Sequence, residues 1–115
     1  MPLSQIEFIK HISEECDYLI LEYSQNSKDD FLNNKRLSKA ICRSLEIIGE
    51  ATLKIHPDIK SKYPLISWRE MSDIRNRIIH HYFGIDYDIV WDTVKTDIPL
   101  LKEAIEVILR VEGNE

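Results

Sequence analysis

Apolar residues recur at intervals of three and four along most of the chain, the spacing that puts them on one face of an α-helix. The first such run extends from a capping-box sequence at residues 4–7 to Tyr23. Seven polar residues, 24–30, separate it from a second run that is expected to begin near Phe31. Pro57 is expected to end that run and to open a short connection. These features predict two long helices joined by a polar loop.

Two further helical runs occupy the second half of the chain. A second capping-box sequence, residues 67–70, opens a third helix that is expected to continue to Gly84. The last helix is expected to start at Asp86 or Asp88. Pro99 should kink or divide it, because proline removes a helix hydrogen bond and its ring collides with the preceding turn. No segment shows the alternation that is typical of a strand.

Length and composition agree with one helical domain. A chain of 115 residues, 43% hydrophobic and 30% charged, buries roughly two-thirds of its unfolded surface without disulfide or metal staples. Three glycines and four prolines are too few for the many turns of a β-sandwich or barrel. The sequence therefore predicts a single all-α domain over residues 1–115, an antiparallel bundle of four to five helices.

Charge limits the possible partners. The net charge of −5 argues against binding nucleic acid by overall charge, so any such contact needs a local basic patch. One candidate patch lies in the second helix, where four cations occur within nine residues with no acidic residue between them: Lys35, Arg36, Lys39 and Arg43. This patch is a weak candidate for RNA binding, and the alternative is an ordinary solvated helix face.

Compartment and metal content follow from other patterns. No apolar run reaches the roughly 18 residues of a membrane span, and no secretory signal is recognisable. Cys16 and Cys42 stand apart within helical patterns, as buried thiols do in a reducing compartment. We therefore expect a cytoplasmic protein. Adjacent histidines point to different faces of a helix, so His80 and His81 do not predict a metal site, and no cofactor is expected.

Arg75 is the residue whose predicted surroundings are least suited to its charge. On a helical wheel Met71 and Ile79 fall about 40° to either side of it, so Arg75 is expected in the middle of the apolar stripe. A buried guanidinium needs an anion. That anion is either a protein carboxylate, with Glu46 or Glu50 as candidates, or the phosphate of a substrate.

The residues after Arg75 suggest phosphate chemistry. Asn76 follows directly, His80 lies five positions on and Tyr82 seven. Histidine suits proton transfer near neutrality, and a guanidinium can clamp phosphate oxygens with two hydrogen bonds. On a continuous helix Arg75 and His80 would be about 140° apart, so a two-fold dimer that combines the residues of two chains is favoured. Its interface is expected along the apolar surface of residues 68–83.

Three segments together carry a family resemblance. Residues 75–82 (RNRIIHHY), 47–51 (IIGEA) and 63–68 (YPLISW) strongly resemble the HepT-like branch of the HEPN proteins, in the expected order. The resemblance implies a helical bundle that forms a homodimer. It also implies a metal-independent endoribonuclease toxin of a toxin–antitoxin system, whose partner is an MntA-like nucleotidyltransferase antitoxin encoded beside it.

The resemblance also implies roles for matching residues. Arg75 and His80 correspond to the catalytic arginine and histidine, and Asn76 to a supporting polar residue. Tyr82 corresponds to the tyrosine that the antitoxin adenylylates. Two alternatives of other classes stay open at this point. One is a non-catalytic dimer that binds a nucleotide or a partner, and the other is a plain dimerisation bundle with Arg75 in a structural salt bridge.

Overall fold

The protein is built almost entirely from α-helices. Its structure, a computed structural model, describes residues 3–80 and 84–113. In chain order the elements are α1 (Leu3–Gln25), α2 (Lys28–Asn33), α3 (Lys35–Leu53), α4 (Pro57–Lys62), α5 (Trp68–Ser72), α6 (Ile74–Ile78), β1 (Ile79–His80), β2 (Gly84–Ile85) and α7 (Tyr87–Glu112). The predicted all-α class is confirmed, with one small β-ribbon that the sequence pattern did not predict.

The core lies between the three long helices, because α1 packs against both α3 and α7. The apolar positions at intervals of three and four are the ones that become buried, as the periodicity predicts. The buried set includes Ile9, Ile12, Cys16 and Leu19 of α1, Ile41, Leu45 and Ile48 of α3, and Val94, Ile98, Ile105 and Ile108 of α7. This bundle forms the scaffold on which the shorter elements are carried.

The predicted second helix is divided at Asn34. This residue has an extended backbone (φ −120°, ψ 101°), and its side chain caps α3 by accepting a hydrogen bond from the Leu37 N–H. The short helix before it, α2, begins with a capping box between Ser27 and Asp30. Because an asparagine side chain competes well for helix-end N–H groups, it ended one helix and began the next.

The prediction that Pro57 ends the second helix and opens an irregular connection is also wrong. The helix α3 ends earlier, at Leu53, and Pro57 belongs to the next helix. Proline lies at the first turn of α4, where its missing N–H costs nothing. His56 is the N-cap, and its Nδ1 accepts a hydrogen bond from the Asp58 N–H at 3.1 Å. A short helix therefore replaces the irregular connection that was expected there.

The third predicted helix is interrupted twice. It begins after Ser67 as expected, although the Ser67 side chain makes no capping hydrogen bond. The chain leaves helical geometry at Asp73 (φ −95°, ψ 9°) and then again at Ile79 (φ −103°, ψ 123°). Gly84, the expected helix stop, instead occupies β2 with a φ of 76°, a conformation that favours glycine. Residues 68–80 are thus two short helices followed by a strand, not one helix.

The last helix confirms one prediction and excludes one of the two outcomes expected at Pro99. Asp86 is its N-cap, with Oδ1 accepting from the Ile89 N–H at 3.1 Å, as one of the two expected start sites. Pro99 does not divide it, and α7 runs unbroken from Tyr87 to Glu112. Packing along α1 compensates for the hydrogen bond that proline removes. None of the helices in the described part of the chain is both long and apolar enough to cross a membrane.

Gly49 marks the closest approach of α3 to the segment that carries the candidate site. A Cβ placed on it would lie 3.1 Å from Ile74 Cγ2 and 3.3 Å from the Met71 carbonyl oxygen. Glycine is unfavourable inside a helix, and this close contact explains why one is present in α3. Its consequence is that α5 and α6 lie directly on α3, with Ile74 in the core.

Candidate functional site

Arg75 lies on α6 with its side chain exposed, so the prediction that it sits in the middle of a buried stripe is wrong. The buried residues of α6 are Ile74 and Ile78, which fall about 60–100° to one side of Arg75 on the wheel. The bend at Asp73 also breaks the register with Met71. Among the described residues none forms a hydrogen bond or ion pair with the Arg75 guanidinium.

The two residues that follow Arg75 anchor α6 instead. The Asn76 side-chain amide donates to Asp73 Oδ1 at 2.5 Å, across the junction of α5 and α6. Arg77 pairs with Asp97 of α7 at 3.3 Å. Asn76 therefore supports the local backbone, and Asp73 and Asp97 are positioning residues that the sequence analysis missed. The spacing of three between Asp73 and Asn76 was the available signal, since it brings two side chains together on a helix.

His80 does not lie on a helix with Arg75. Its backbone belongs to β1, which pairs antiparallel with β2 so that His80 lies opposite Gly84. The angle of about 140° calculated for a continuous helix therefore does not apply. The argument from that angle for a site that combines the residues of two chains no longer holds. The side chain of His80 and all of residues 81–83, including the predicted modification site Tyr82, lie outside the described residues.

The predicted basic patch is on the surface, and part of its charge is paired. Its four members, all exposed on α3, are Lys35, Arg36, Lys39 and Arg43. Arg43 Nη1 lies 3.3 Å from a carboxylate oxygen of Glu46 and 3.3 Å from one of Glu50. The suggestion that these two carboxylates hold Arg75 is therefore wrong, because they engage Arg43.

An apolar surface was expected along residues 68–83. In its described part, the apolar residues Trp68, Met71, Ile74 and Ile78 are all buried and face inward. Some exposed apolar residues lie on the loop before α5 and on the outer side of α7, and single exposed leucines lie on α1, α2 and α3. Leu65 is 99% exposed and Leu100 64%. They line adjoining shallow grooves with Ala104 and Val107. We call this surface, Leu65 with Leu100, Ala104, Val107 and Val111, the α7 groove.

Other routes to catalysis are not supported by the described residues. Burial raises the pKa of Cys16 to about 12 and that of Cys42 to about 11, so neither thiol is a nucleophile near neutrality. Both cysteines are free. Within residues 3–80 and 84–113, no group of three or more potential ligands is placed to hold a metal ion.

Comparison with known proteins gives a consistent picture. Residues 5–108 match the family model described as "Ribonuclease HepT-like". The chain is 41% identical over its full length to "Putative RNase MJ1216" of Methanocaldococcus jannaschii, covering 97% of that protein. It is 43% identical over 92% of its length to "Probable ribonuclease HepT" of Thermococcus cleftensis, covering 96% of it. No solved structure matches the chain.

Proposed function

The chain belongs to the HepT-like ribonuclease family, and we propose that it is a metal-independent endoribonuclease whose active site contains Arg75 and His80. The observation that carries this proposal is the state of Arg75. Its guanidinium is exposed on a short helix that is anchored through the next two residues, Asn76 and Arg77, with no carboxylate partner among the described residues. A fixed helix that presents an exposed arginine is suited to clamping a substrate phosphate.

The proposed reaction is cleavage by the RNA's own 2′-hydroxyl. The 2′-oxygen bonds to the adjacent phosphorus and loses its proton, while the bond from phosphorus to the 5′-oxygen breaks and that oxygen gains a proton. His80 carries out proton transfer, for which an imidazole is suited near neutrality. Arg75 stabilises the negative charge that grows on the phosphate oxygens. The products are a 2′,3′-cyclic phosphate and a 5′-hydroxyl.

The wider biological role is part of the same proposal. We propose a cytoplasmic toxin of a toxin–antitoxin system, neutralised by an MntA-like nucleotidyltransferase that adenylylates Tyr82. Added AMP groups would place negative charge seven residues from Arg75 in sequence. They would then compete with RNA phosphate for the same guanidinium. This part is supported by the family resemblance of residues 75–82.

A homodimer and an RNA-contacting face complete the proposal. The α7 groove has apolar positions at 100, 104, 107 and 111, a spacing of four, three and four that suits packing against a second helix. We propose a second copy of the chain as its occupant. Glu103 and Arg110 flank this stripe on one side, seven residues apart, so an antiparallel copy would bring opposite charges together. Lys35, Arg36 and Lys39 are proposed to contact the RNA backbone.

Incubation of the purified protein with RNA in EDTA tests the central claim. We expect cleavage products that end in 2′,3′-cyclic phosphate, at a rate that added Mg²⁺ does not raise. Cleavage that requires a divalent cation would contradict the metal-independent mechanism. Binding of RNA without cleavage would favour the alternative of a non-catalytic binding dimer.

A further inference from the structure

Three exposed cations in the first two turns of α3 are not explained by the stability of the helix. They are Lys35, Arg36 and Lys39, and within residues 3–80 and 84–113 none of their side chains forms an ion pair or a hydrogen bond. The first turn of α3 contains no acidic residue, and the helix dipole disfavours cations at that end. We call these three residues the α3 cations.

The two lysines of this group lie on the flank of α3 that is next to α5 and α6. Because α3 is one continuous helix, a wheel gives the direction of each side chain around it. Gly49 faces α5 and α6, since a Cβ there would lie 3.1 Å from Ile74 Cγ2. Lys35 and Lys39 point about 40° and about 80° from that direction. Ser44 points about 140° to the other side, where its hydroxyl donates to a carboxylate of α1 at 2.6 Å.

The α5–α6 segment runs towards the end of the bundle that carries the α3 cations. At its far end the Ile78 carbonyl accepts from the Asp86 N–H at 2.7 Å, directly before α7. The start of α7 lies against α2, where Lys28 pairs with Asp88 at 2.8 Å. Asn34 alone separates α2 from α3. The β-ribbon and the α3 cations are therefore at the same end of the bundle.

Helix rise gives the scale of the separation along α3. Gly49 marks the level of Ile74, the neighbour of Arg75. Lys39 is ten residues and Lys35 fourteen residues from Gly49, or about 15 Å and about 21 Å along the axis. Successive phosphates of a stacked strand are about 3.4 Å apart along its axis, so these distances correspond to about four to six phosphates.

We propose that the α3 cations are a second phosphate-binding site, which holds the RNA strand about four to six nucleotides to one side of the bond that is cut. The inference rests on the proposed binding of the scissile phosphate by Arg75. Neighbouring cations attract a phosphate backbone whatever its sequence. On the same face of α3, Glu46 and Glu50 hold Arg43 and leave a net negative charge. The strand therefore reaches the α3 cations along α6 and the β-ribbon, and not over the middle of α3.

The test variant is Lys35→Gln with Lys39→Gln, and Lys10→Gln with Lys54→Gln is the matched control. The control removes the same charge from exposed lysines of α1 and of the C-terminal end of α3. The ligand is 2′-O-methyl RNA of about twelve nucleotides, about six on each side of the bound phosphate. It lacks the nucleophile of the proposed reaction and cannot be cut. Fluorescence anisotropy gives Kd over a range of salt concentrations, and thermal unfolding by circular dichroism checks that the variants fold.

We expect the slope of log Kd against log salt concentration to fall by about 1.4 in the test variant, because each phosphate contact on a single strand contributes about 0.7. The control should keep the wild-type slope. An unchanged slope in the test variant, or an equal fall in the control, overturns the inference, as does a wild type that does not bind. A smaller slope in a protein that cuts no RNA supports the second site and overturns the nuclease proposal alone.

The positions of the cuts test the placement of the site. In single-turnover cleavage of a homopolymer RNA labelled at either end, the wild type should cut bonds within about four nucleotides of one end more slowly than interior bonds. The strand beyond those bonds is too short to reach the α3 cations. The test variant should cut interior bonds at the slow rate of the terminal ones, and the control should behave as the wild type. Equal wild-type rates for terminal and interior bonds would refute the placement.

Discussion

At the scale of single residues, the Arg75 side chain is exposed, so its substitution should lower RNA cleavage and leave the stability of the fold nearly unchanged. Arg75→Ala should change the free energy of unfolding by less than about 0.5 kcal/mol, because the side chain removed is exposed and has no partner in residues 3–79 or 84–113. RNA cleavage should fall by about a hundredfold or more in this variant and in Arg75→Lys, since a lysine cannot make the bidentate phosphate contact. Urea unfolding and initial cleavage rates measure the two effects.

His80→Ala should likewise remove cleavage, by about 10²–10⁴-fold, the usual contribution of a general acid or base. Arg69→Ala is the control, since Arg69 is an exposed arginine on α5 and should leave the rate unchanged. Wild-type cleavage by either Arg75→Ala or His80→Ala would remove that residue from the active site.

Tyr82 carries the prediction about control. After incubation with the neighbouring nucleotidyltransferase, ATP and Mg²⁺, intact-mass spectrometry should show AMP added to the wild-type chain and none to Tyr82→Phe. The substitution removes the acceptor oxygen and keeps the ring, so the fold should be retained. Tyr87→Phe, at a nearby tyrosine of α7, should be labelled like the wild type. Equal labelling of Tyr82→Phe and wild type would exclude Tyr82 as the target.

At the scale of elements, the contact between α3 and α5–α6 depends on the missing side chain of Gly49. Gly49→Val should lower the free energy of unfolding by about 2 kcal/mol or more, because its methyl groups meet Ile74 and the Met71 backbone, which cannot withdraw far. Ala40→Val, at an exposed position of the same helix, controls for helix propensity and should cost less than about 0.7 kcal/mol. Equal losses of unfolding free energy in Gly49→Val and Ala40→Val, measured by urea unfolding, would show that α3 and the α5–α6 segment are not closely packed at Gly49.

The end of α4 is tied to the end of α7 by Glu112, which is 5% exposed. Hydrogen bonds from Lys62 Nζ at 2.5 Å and Tyr63 Oη at 3.1 Å hold the pKa of this carboxyl below its ordinary value of 4.5. When the pKa of a carboxyl group is lower in the folded protein than in the unfolded chain, the ionised group stabilises the fold at pH values above the unfolded-state pKa. That stabilisation is lost as the pH falls through the folded-state pKa.

Glu112→Gln should therefore melt below the wild type at pH 7, and the difference should shrink as the pH is lowered through and below 4.5. Melting temperatures across this range provide the measurement. Glu14→Gln, at an exposed glutamate of α1, should match the wild type at each pH. A gap between Glu112→Gln and wild type that stays constant with pH would contradict the electrostatic origin.

At the scale of the whole molecule, the α7 groove makes a prediction about assembly. Sedimentation equilibrium at micromolar concentration should give twice the chain mass of 13.6 kDa. Leu65→Glu with Leu100→Glu should yield the monomer, because two charges cannot be buried in an apolar interface without partners. Leu21→Glu, at an exposed leucine of α1, should remain dimeric. A wild-type monomer would exclude the dimer, and a dimeric double variant would move its interface elsewhere.

Much of the architecture follows from the sequence alone. The intervals of three and four define the buried faces of α1, α3 and α7, because they report which side of a helix avoids water. The close approach at Gly49 and the cap at Asp86 were likewise predictable, since both depend on local chemistry that the residue itself carries. The family of the chain was also recognisable, from residues 75–82 and two further segments.

Only the tertiary structure decided the surroundings of Arg75 and His80. A wheel assumes one continuous helix, and it cannot show that the chain bends at Asp73 and extends at Ile79. The Ile78 carbonyl accepts from the Asp86 N–H, eight residues along the chain, so the helix ends where a distant backbone donor competes for its last carbonyls. Arg43 also engaged the carboxylates that had been assigned to Arg75. These contacts depend on which groups meet in space, and the periodicity of a sequence does not specify that.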